Sequence, residues 1–319
     1  MNFKPIIIVS GEPYSIFLEI FFKIKKNKFK RPIIIIASKK LLLNQMKMLK
    51  FNFKVNLIDN KNINNRDLNN KKINVFDVDF KFSKTFDIIS DKSNEYIKEC
   101  FRIAIKLLKT NKYIGMINGP ISKKNFLKEE FLGITEYLAH KTKQKKFAML
   151  IYNKNLSVCP ITTHLPLKDV SKNITKSKII NQAKLIHSFY KKKFKKIPNI
   201  AITGLNPHCE SNYSSSEEKN IIIPSIEYLA KKKIKLDGPF AADTLFMKQG
   251  VKKYDVIIGM YHDQVLTPAK TLFEFKSFNI TLGLPFIRIS PDHGPNTLML
   301  GKNLSNPQSL LEALKFLDK

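Results

Sequence analysis

The stretch "DVIIGMYHDQVLTPAK", residues 255–270, carries an apolar, strand-like run straight into His262, Asp263 and Gln264, with Lys270 six residues beyond Gln264. An imidazole, a carboxylate and an amide at the mouth of a buried strand are groups able to bind a metal ion or a polar substrate. Two other apolar runs end the same way. "CPITTHLPL" places His164 after one and "AITGLNPHCE" places His208 after another. Imidazole is the commonest metal-binding side chain, and three of them leave an open coordination position for water or substrate. The separations of 44 and 54 residues are too long for a local motif. They make a shared site only if the fold brings three strand ends to one point. A satisfied core or loop role competes at each histidine taken alone. The matched placement of three of the six, each beside Asn, Asp or Thr, favours the shared site. His140 and His187 fall in helical or loop segments near lysines, and His293 in "SPDHGPN" either lines the site or holds a turn.

The elements that must position these groups follow a rhythm of apolar run, helical pattern, apolar run. "PIIIVS" (5–10) and "RPIIIIAS" (31–38) read as buried parallel strands, short and β-branched. Further strands are expected at 113–119, 147–152, 156–163, 199–205 and 255–261. Residues 94–109 carry Ile97, Cys100, Phe101, Ala104 and Leu108 at the spacing of a one-sided helix. Helices are also expected between the first two strands and over 175–192, 217–232 and 307–317. Strands alternating with helices predict an α/β fold with a mainly parallel sheet, whose ligands bind beyond the carboxyl ends of the strands. No internal repeat is visible. The Asn/Lys-rich stretch 59–72 reads as a polar loop or low-complexity insertion.

Composition narrows the function classes. At 319 residues and 43% hydrophobic, the chain has room for one large or two medium cores. No apolar run approaches the ~20 residues of a membrane helix, and the N-terminus lacks a signal-sequence pattern. Cys100, Cys159 and Cys209 cannot pair fully and show no metal-finger spacing, so a reduced, cytoplasmic protein is expected. The net charge of +30 comes from lysine, which supplies 52 of 56 basic residues. Lysine, asparagine and isoleucine are abundant together and tryptophan is absent, the mark of AT-biased coding. The lysines are spread along the chain rather than clustered with arginine and aromatics, which argues against nucleic-acid binding. A positive surface still attracts anionic small substrates.

An ordered series of motifs carries a resemblance: "NGPISK" (118–123), "GITEYLA" (133–139), "TTHLPL" (162–167), "GLNPH" (204–208), "GPFAADTLF" (238–246), "MYHDQ" (260–264) and "NITLGLPFIRISPDHG" (279–294). On these the chain resembles the 4-hydroxythreonine-4-phosphate dehydrogenase (PdxA) family of the vitamin B6 pathway over nearly its whole length. The resemblance implies a two-domain subunit with the isocitrate/isopropylmalate dehydrogenase-like fold and a cleft between domains. The first domain would comprise residues 1–125 plus 270–319, and the second 126–269. It implies that His164, His208 and His262 bind one divalent metal ion (Zn, Mg, Mn or Co) and that the site is shared across a homodimer, His164 coming from the partner chain. Thr135, Lys270, Asn279 and Arg288 match substrate-binding positions. Asp243 and Asp263 match acidic positions near the metal, where they would orient histidines or hold the substrate amine; helix-cap and turn roles compete.

The implied reaction is oxidation of 4-phosphohydroxy-L-threonine by NAD (or NADP), followed by decarboxylation to 3-amino-2-oxopropyl phosphate. The chain departs from the family pattern in three places. Ile134 replaces the histidine of Gly-His-Thr-Glu, "GEPYSIFLE" (11–19) has one glycine, and "NPHCESNYSSSEE" follows with no glycine. Ile134 keeps open a related dehydrogenase acting on threonate or erythronate 4-phosphate. A metal-dependent hydrolase is the competing enzyme class, and nothing beyond the histidines supports it. Neither nucleic acid nor a membrane is expected as a partner.

Overall fold

The computed structural model describes residues 3–59, 68–128, 130–209 and 213–319. Most of the Asn/Lys-rich stretch (60–67) and residues 210–212 of the segment after His208 lie outside the described residues. The strands are β1 (Ile6–Val9), β2 (Ile33–Ala37), β3 (Val55–Ile58), β4 (Ile73–Asp77), β5 (Gly115–Asn118), β6 (Ala148–Tyr152), β7 (Ser157–Thr162), β8 (Ile200–Thr203), β9 (Asp237–Phe240), β10 (Val256–Tyr261), β11 (Phe278–Leu282) and β12 (Ile287–Pro291). The α-helices are α1 (Phe17–Ile24), α2 (Lys39–Met48), α3 (Asn94–Leu108), α4 (Ile134–Lys141), α5 (Val170–Asn173), α6 (Lys176–Phe194), α7 (Ile223–Lys231), α8 (Ala242–Leu245), α9 (Lys248–Lys253), α10 (His262–Phe273) and α11 (Gln308–Asp318). This is the α/β fold that the alternating pattern predicts. The chain divides into two compact units, Met1–Tyr137 with Pro285–Lys319, and Leu138–Leu284.

In the first unit the strand order is β3-β4-β2-β1-β5-β12, and every neighbouring pair is parallel. All residues of β1 and β2 are buried, which is why both are unbroken β-branched runs with no polar face. Helix α3 turns Ile97, Cys100, Phe101, Ala104, Leu107 and Leu108 inward and leaves the Glu99–Arg102 ion pair outside. The order reverses between β1 and β5, and an α/β sheet opens a crevice beyond the strand ends at such a point. The chain is tight there. A Cβ on Gly119, just past β5, would stand 2.2 Å from the Ser10 carbonyl oxygen. One on Gly11, whose φ is +73°, would stand 2.4 Å from the Pro120 carbonyl oxygen. Only glycine fits either position.

In the second unit the order is β11-β6-β7-β10-β8-β9. The first two pairs are antiparallel and the other three parallel. Its core joins Met149, Ile151, Val158, Ala201, Ile257 and Val265 with Leu266 and Ala269 of α10. Helix α6 starts where the Thr175 hydroxyl accepts from the Lys178 N–H, and it buries Ile179, Gln182, Ala183, Ile186 and Tyr190 at three- and four-residue spacing. The expected helix over 217–232 is present and continuous: it is wound wide over Glu218–Ile222 and passes directly into α7, with Pro224 at the start of the α-helical part.

Candidate active site

Register sets the site of the second unit. β10 lies between β7 and β8 and runs parallel to both, with Tyr261 opposite Thr162 and Ile258 opposite Ile202. The three strands that end in histidines are therefore neighbours whose carboxyl ends point the same way. The Thr162 hydroxyl donates to the Met260 carbonyl at 2.8 Å and locks the ends of β7 and β10 together. Two residues on, the His164 and His262 rings stand 5.9 Å apart between centroids. Both line a cavity of about 430 Å³ with Thr162, Thr163, Leu165, Tyr261 and Asp263. The resemblance assigns His164 to a partner's site; within one chain it already lies against His262.

His262 is the first residue of α10, so the mouth of β10 is a helix start rather than a loop. The Asp263 carboxylate, in that same first turn, stands 2.6 Å from His262 Nδ1. An ionised carboxylate only accepts, so Nδ1 carries the ring proton and Nε2 presents its lone pair. That is the state in which an imidazole binds a metal. Asp263 itself is exposed, with negative charge at the positive end of the helix. Asp243 has a different setting. It is exposed in α8, accepts from the neighbouring Thr244 N–H at 2.8 Å, and its charge helps raise the Cys209 thiol pKa, for which burial is the main cause.

His208 follows β8 in left-handed backbone (φ 58°), as does Cys209. It lines a second cavity, of about 570 Å³, with Ser171, Asn206, Tyr213, Ser216 and Glu217. Among the described residues no group of three or more His, Cys, Asp and Glu side chains is placed to hold a metal ion. Two of the three expected histidines thus meet in one chain, and the third stands on the next strand's loop. Gln264 is not a free ligand. Its Oε1 accepts from the Met260 N–H and the Thr203 hydroxyl, and its Nε2 donates to the Gly204 carbonyl.

The remaining matched positions of this unit are Lys270 and Asn279. Lys270 is exposed in the last turn of α10. Asn279 lies in β11 opposite Ile151, and its Oδ1 is buried with no hydrogen-bond partner among the described residues. A buried acceptor left without a donor costs about 1–3 kcal/mol, so such an atom marks a place where a ligand group can be received.

In the first unit, Arg288 sits on β12 opposite Met116 and is fully buried. Its Nε donates to Asn118 Oδ1 at 2.7 Å, and its Nη1 reaches the Thr135 hydroxyl at 3.5 Å. Burial pulls the guanidinium pKa down to about 9, with the Glu136 carboxylate opposing the shift. It stays charged at neutral pH. Asn118 turns its own Nδ2 onto the Gly119 carbonyl, so its oxygen is aimed at Arg288. Asn118 opens the motif "NGPISK", and the local signal for its part in the site is a buried amide at a strand's carboxyl end.

The sequence matches the family described as "Pyridoxal phosphate biosynthetic protein PdxA" over residues 28–317. A protein of Sulfurihydrogenibium sp. (strain YO3AOP1) named 4-hydroxythreonine-4-phosphate dehydrogenase is 39% identical over 315 residues, covering 97% of this chain and 95% of its own. One of the same name from Aquifex aeolicus (strain VF5) is 35% identical, covering 99% of this chain and 98% of its own. The crystal structure of a 4-hydroxythreonine-4-phosphate dehydrogenase from Klebsiella pneumoniae superposes with a TM-score of 0.86 at 26% identity, covering 99% of this chain and 98% of that one. No helix among the described residues is long and apolar enough to cross a membrane.

Proposed function

The chain belongs to the PdxA family of pyridoxal phosphate biosynthetic proteins, and from that premise we propose the reaction its residues serve. It is an oxidoreductase of vitamin B6 biosynthesis. It oxidises 4-phosphohydroxy-L-threonine at its secondary alcohol with NAD or NADP and releases carbon dioxide to give 3-amino-2-oxopropyl phosphate. The relatives' names support this substrate over threonate or erythronate 4-phosphate. The observation that carries the reading is the placement of His164, His208 and His262 at the same ends of three adjacent strands.

His164, His208 and His262 would hold a divalent cation: Zn, Mg, Mn or Co. The donor set fits, since the Asp263 contact engages His262 Nδ1 and leaves Nε2 as the ring nitrogen free to serve as a ligand atom. When bound, such a cation polarises an alcohol or carbonyl oxygen. In this reading the His164 position of each site is supplied by a second copy of the chain, which makes the enzyme a homodimer. Asn279 Oδ1 can only accept, so it complements a substrate hydroxyl or ammonium group. Lys270 and Arg288 complement the phosphate and carboxylate, Arg288 by its planar fork. Thr135 and Asn118 hold that fork in orientation. Asp243 is an exposed acceptor for the substrate amine.

The chemistry balances in two steps. A bound nicotinamide would accept the hydride from the substrate C–H, and the hydroxyl proton would go to solvent. The resulting β-keto acid then breaks its bond to the carboxylate, and the electron pair left on carbon takes up a proton. Three free thiols suit a reducing compartment, and we place the enzyme in the cytoplasm. A substrate panel tests the reading. NADH formed from 4-phosphohydroxy-L-threonine in preference to the sugar-acid phosphates is the expected result, and turnover of a sugar-acid phosphate alone overturns it.

A further inference from the structure

We propose that Gln264 is a positioning residue that fixes the loop bearing His208 against the helix bearing His262, so that both imidazoles are presented from one frame. The inference rests on the reading of these histidines as metal ligands. Gln264 lies in the first turn of α10, two residues after His262. Its Oε1 accepts from the Met260 N–H at 2.7 Å, in the strand that ends one residue before His262. The same oxygen accepts from the Thr203 hydroxyl at 2.8 Å, at the end of β8. Its Nε2 donates to the Gly204 carbonyl at 2.8 Å, the first residue of the His208 loop. One amide therefore bonds both strand ends at once, and the glycine at Gly259 leaves it room. A Cβ there would stand 3.1 Å from Gln264 Oε1 and 2.3 Å from Val265 Cγ1.

The far side of the loop is held independently. Buried Glu218 accepts from the Leu205 N–H at 2.7 Å and the Asn206 N–H at 2.9 Å through Oε1. Its Oε2 accepts from Asn206 Nδ2 at 2.9 Å and the Ser216 hydroxyl at 2.8 Å. Glu218 gives the loop its shape, and Gln264 sets where that shape sits relative to His262. With Gln264 bonded to Gly204, the left-handed turn at His208 starts from a fixed point only four residues away. The Gly204 N–H also donates to the Phe240 carbonyl of β9 at 2.9 Å, so removing the Gln264 bonds loosens the loop against α10 while its ties to β9 and to Glu218 remain.

The test is cobalt binding to the full-length protein, read from the visible absorption of Co²⁺ held by imidazole. The measurements are made at a temperature where circular dichroism shows each protein folded. Gln264→Met removes all three bonds. Gln264→Glu keeps the acceptor and loses the donor to Gly204. Ile257→Val, a core change away from the clasp, controls for lost stability. Partners that orient metal-binding histidines are typically worth 10–100-fold in metal affinity. The expected result is a Co²⁺ Kd weaker by about 10–100-fold in Gln264→Met, a smaller loss in Gln264→Glu, and no change in Ile257→Val. A wild-type band with the same Kd and spectrum in both Gln264 variants overturns this inference alone. A wild type with no cobalt band overturns the metal reading and this inference with it.

Discussion

Arg288 donates from Nε to Asn118 Oδ1 at 2.7 Å, and both side chains are sealed from solvent. A guanidinium held this way has one edge committed to the protein and its charge poorly solvated. Its geometry makes a specific demand on the residue type.

Arg288→Lys keeps the charge but loses the fork and the Nε–H. Asn118 Oδ1 is then left buried without its donor, at a cost of about 1–3 kcal/mol. Urea unfolding should show that loss, and the KM for phosphorylated substrate should rise while NAD binding is unchanged. Equal KM values for the two proteins would remove Arg288 from the substrate site.

Asp263 acts through His262, which it holds at 2.6 Å as the Nε2-available tautomer. Asp263→Ala should weaken divalent-metal affinity by about 10–100-fold, seen as easier stripping by a chelator. Because the carboxylate is exposed, thermal stability without metal should hardly move. A large stability loss with unchanged metal affinity contradicts the assigned role.

Glu12 is buried at 2% exposure, where it accepts from the Ser93 hydroxyl at 3.0 Å and the Tyr14 N–H at 3.3 Å. Burial outweighs those bonds and raises its carboxyl pKa above the ordinary 4.5. Its favourable contribution is therefore complete below pH 4.5 and is lost as pH rises through the folded value. Glu12→Gln should gain stability over wild type at pH 8 and little at pH 4. The same stability difference at both pH values would show that the folded carboxyl is not perturbed.

Gly119 closes the end of β5 onto β1. Gly119→Ala puts a methyl 2.2 Å from the Ser10 carbonyl oxygen, and neither backbone can withdraw without breaking the parallel ladder. A loss on the order of 1–3 kcal/mol is expected in urea unfolding. An unchanged midpoint would mean that the two ends are looser than drawn.

The parts legible in the sequence are those where one physical demand dominates. Unbroken Ile/Val runs announced β1 and β2, because a strand buried on both faces has no use for polar residues. The one-sided spacing of α3 was equally plain. The histidines after β7, β8 and β10 marked three strands that are in fact neighbours. The parts that were not legible carry conflicting signals. β9 is four half-buried residues containing Gly238 and Pro239, residue types that weaken a strand signal. α10 begins with no connecting loop and holds Pro268 inside it, so its start and its course were both disguised. The left-handed backbone at His208 and Cys209 falls on residues that rarely adopt it, and nothing local in the sequence announces it. Gln264 looked like a ligand beside two others. Its role as a clasp depends on Thr203 and Gly204, about sixty residues earlier, which only the fold brings near.

The most direct measurement supplies the purified protein with 4-phosphohydroxy-L-threonine, NAD and a divalent metal, and follows NADH and carbon dioxide together. Both should appear in equal amounts, and both should stop when a chelator removes the metal. Neither product with metal present, or both persisting undiminished in a protein shown to be free of metal, would contradict a metal-assisted oxidative decarboxylation.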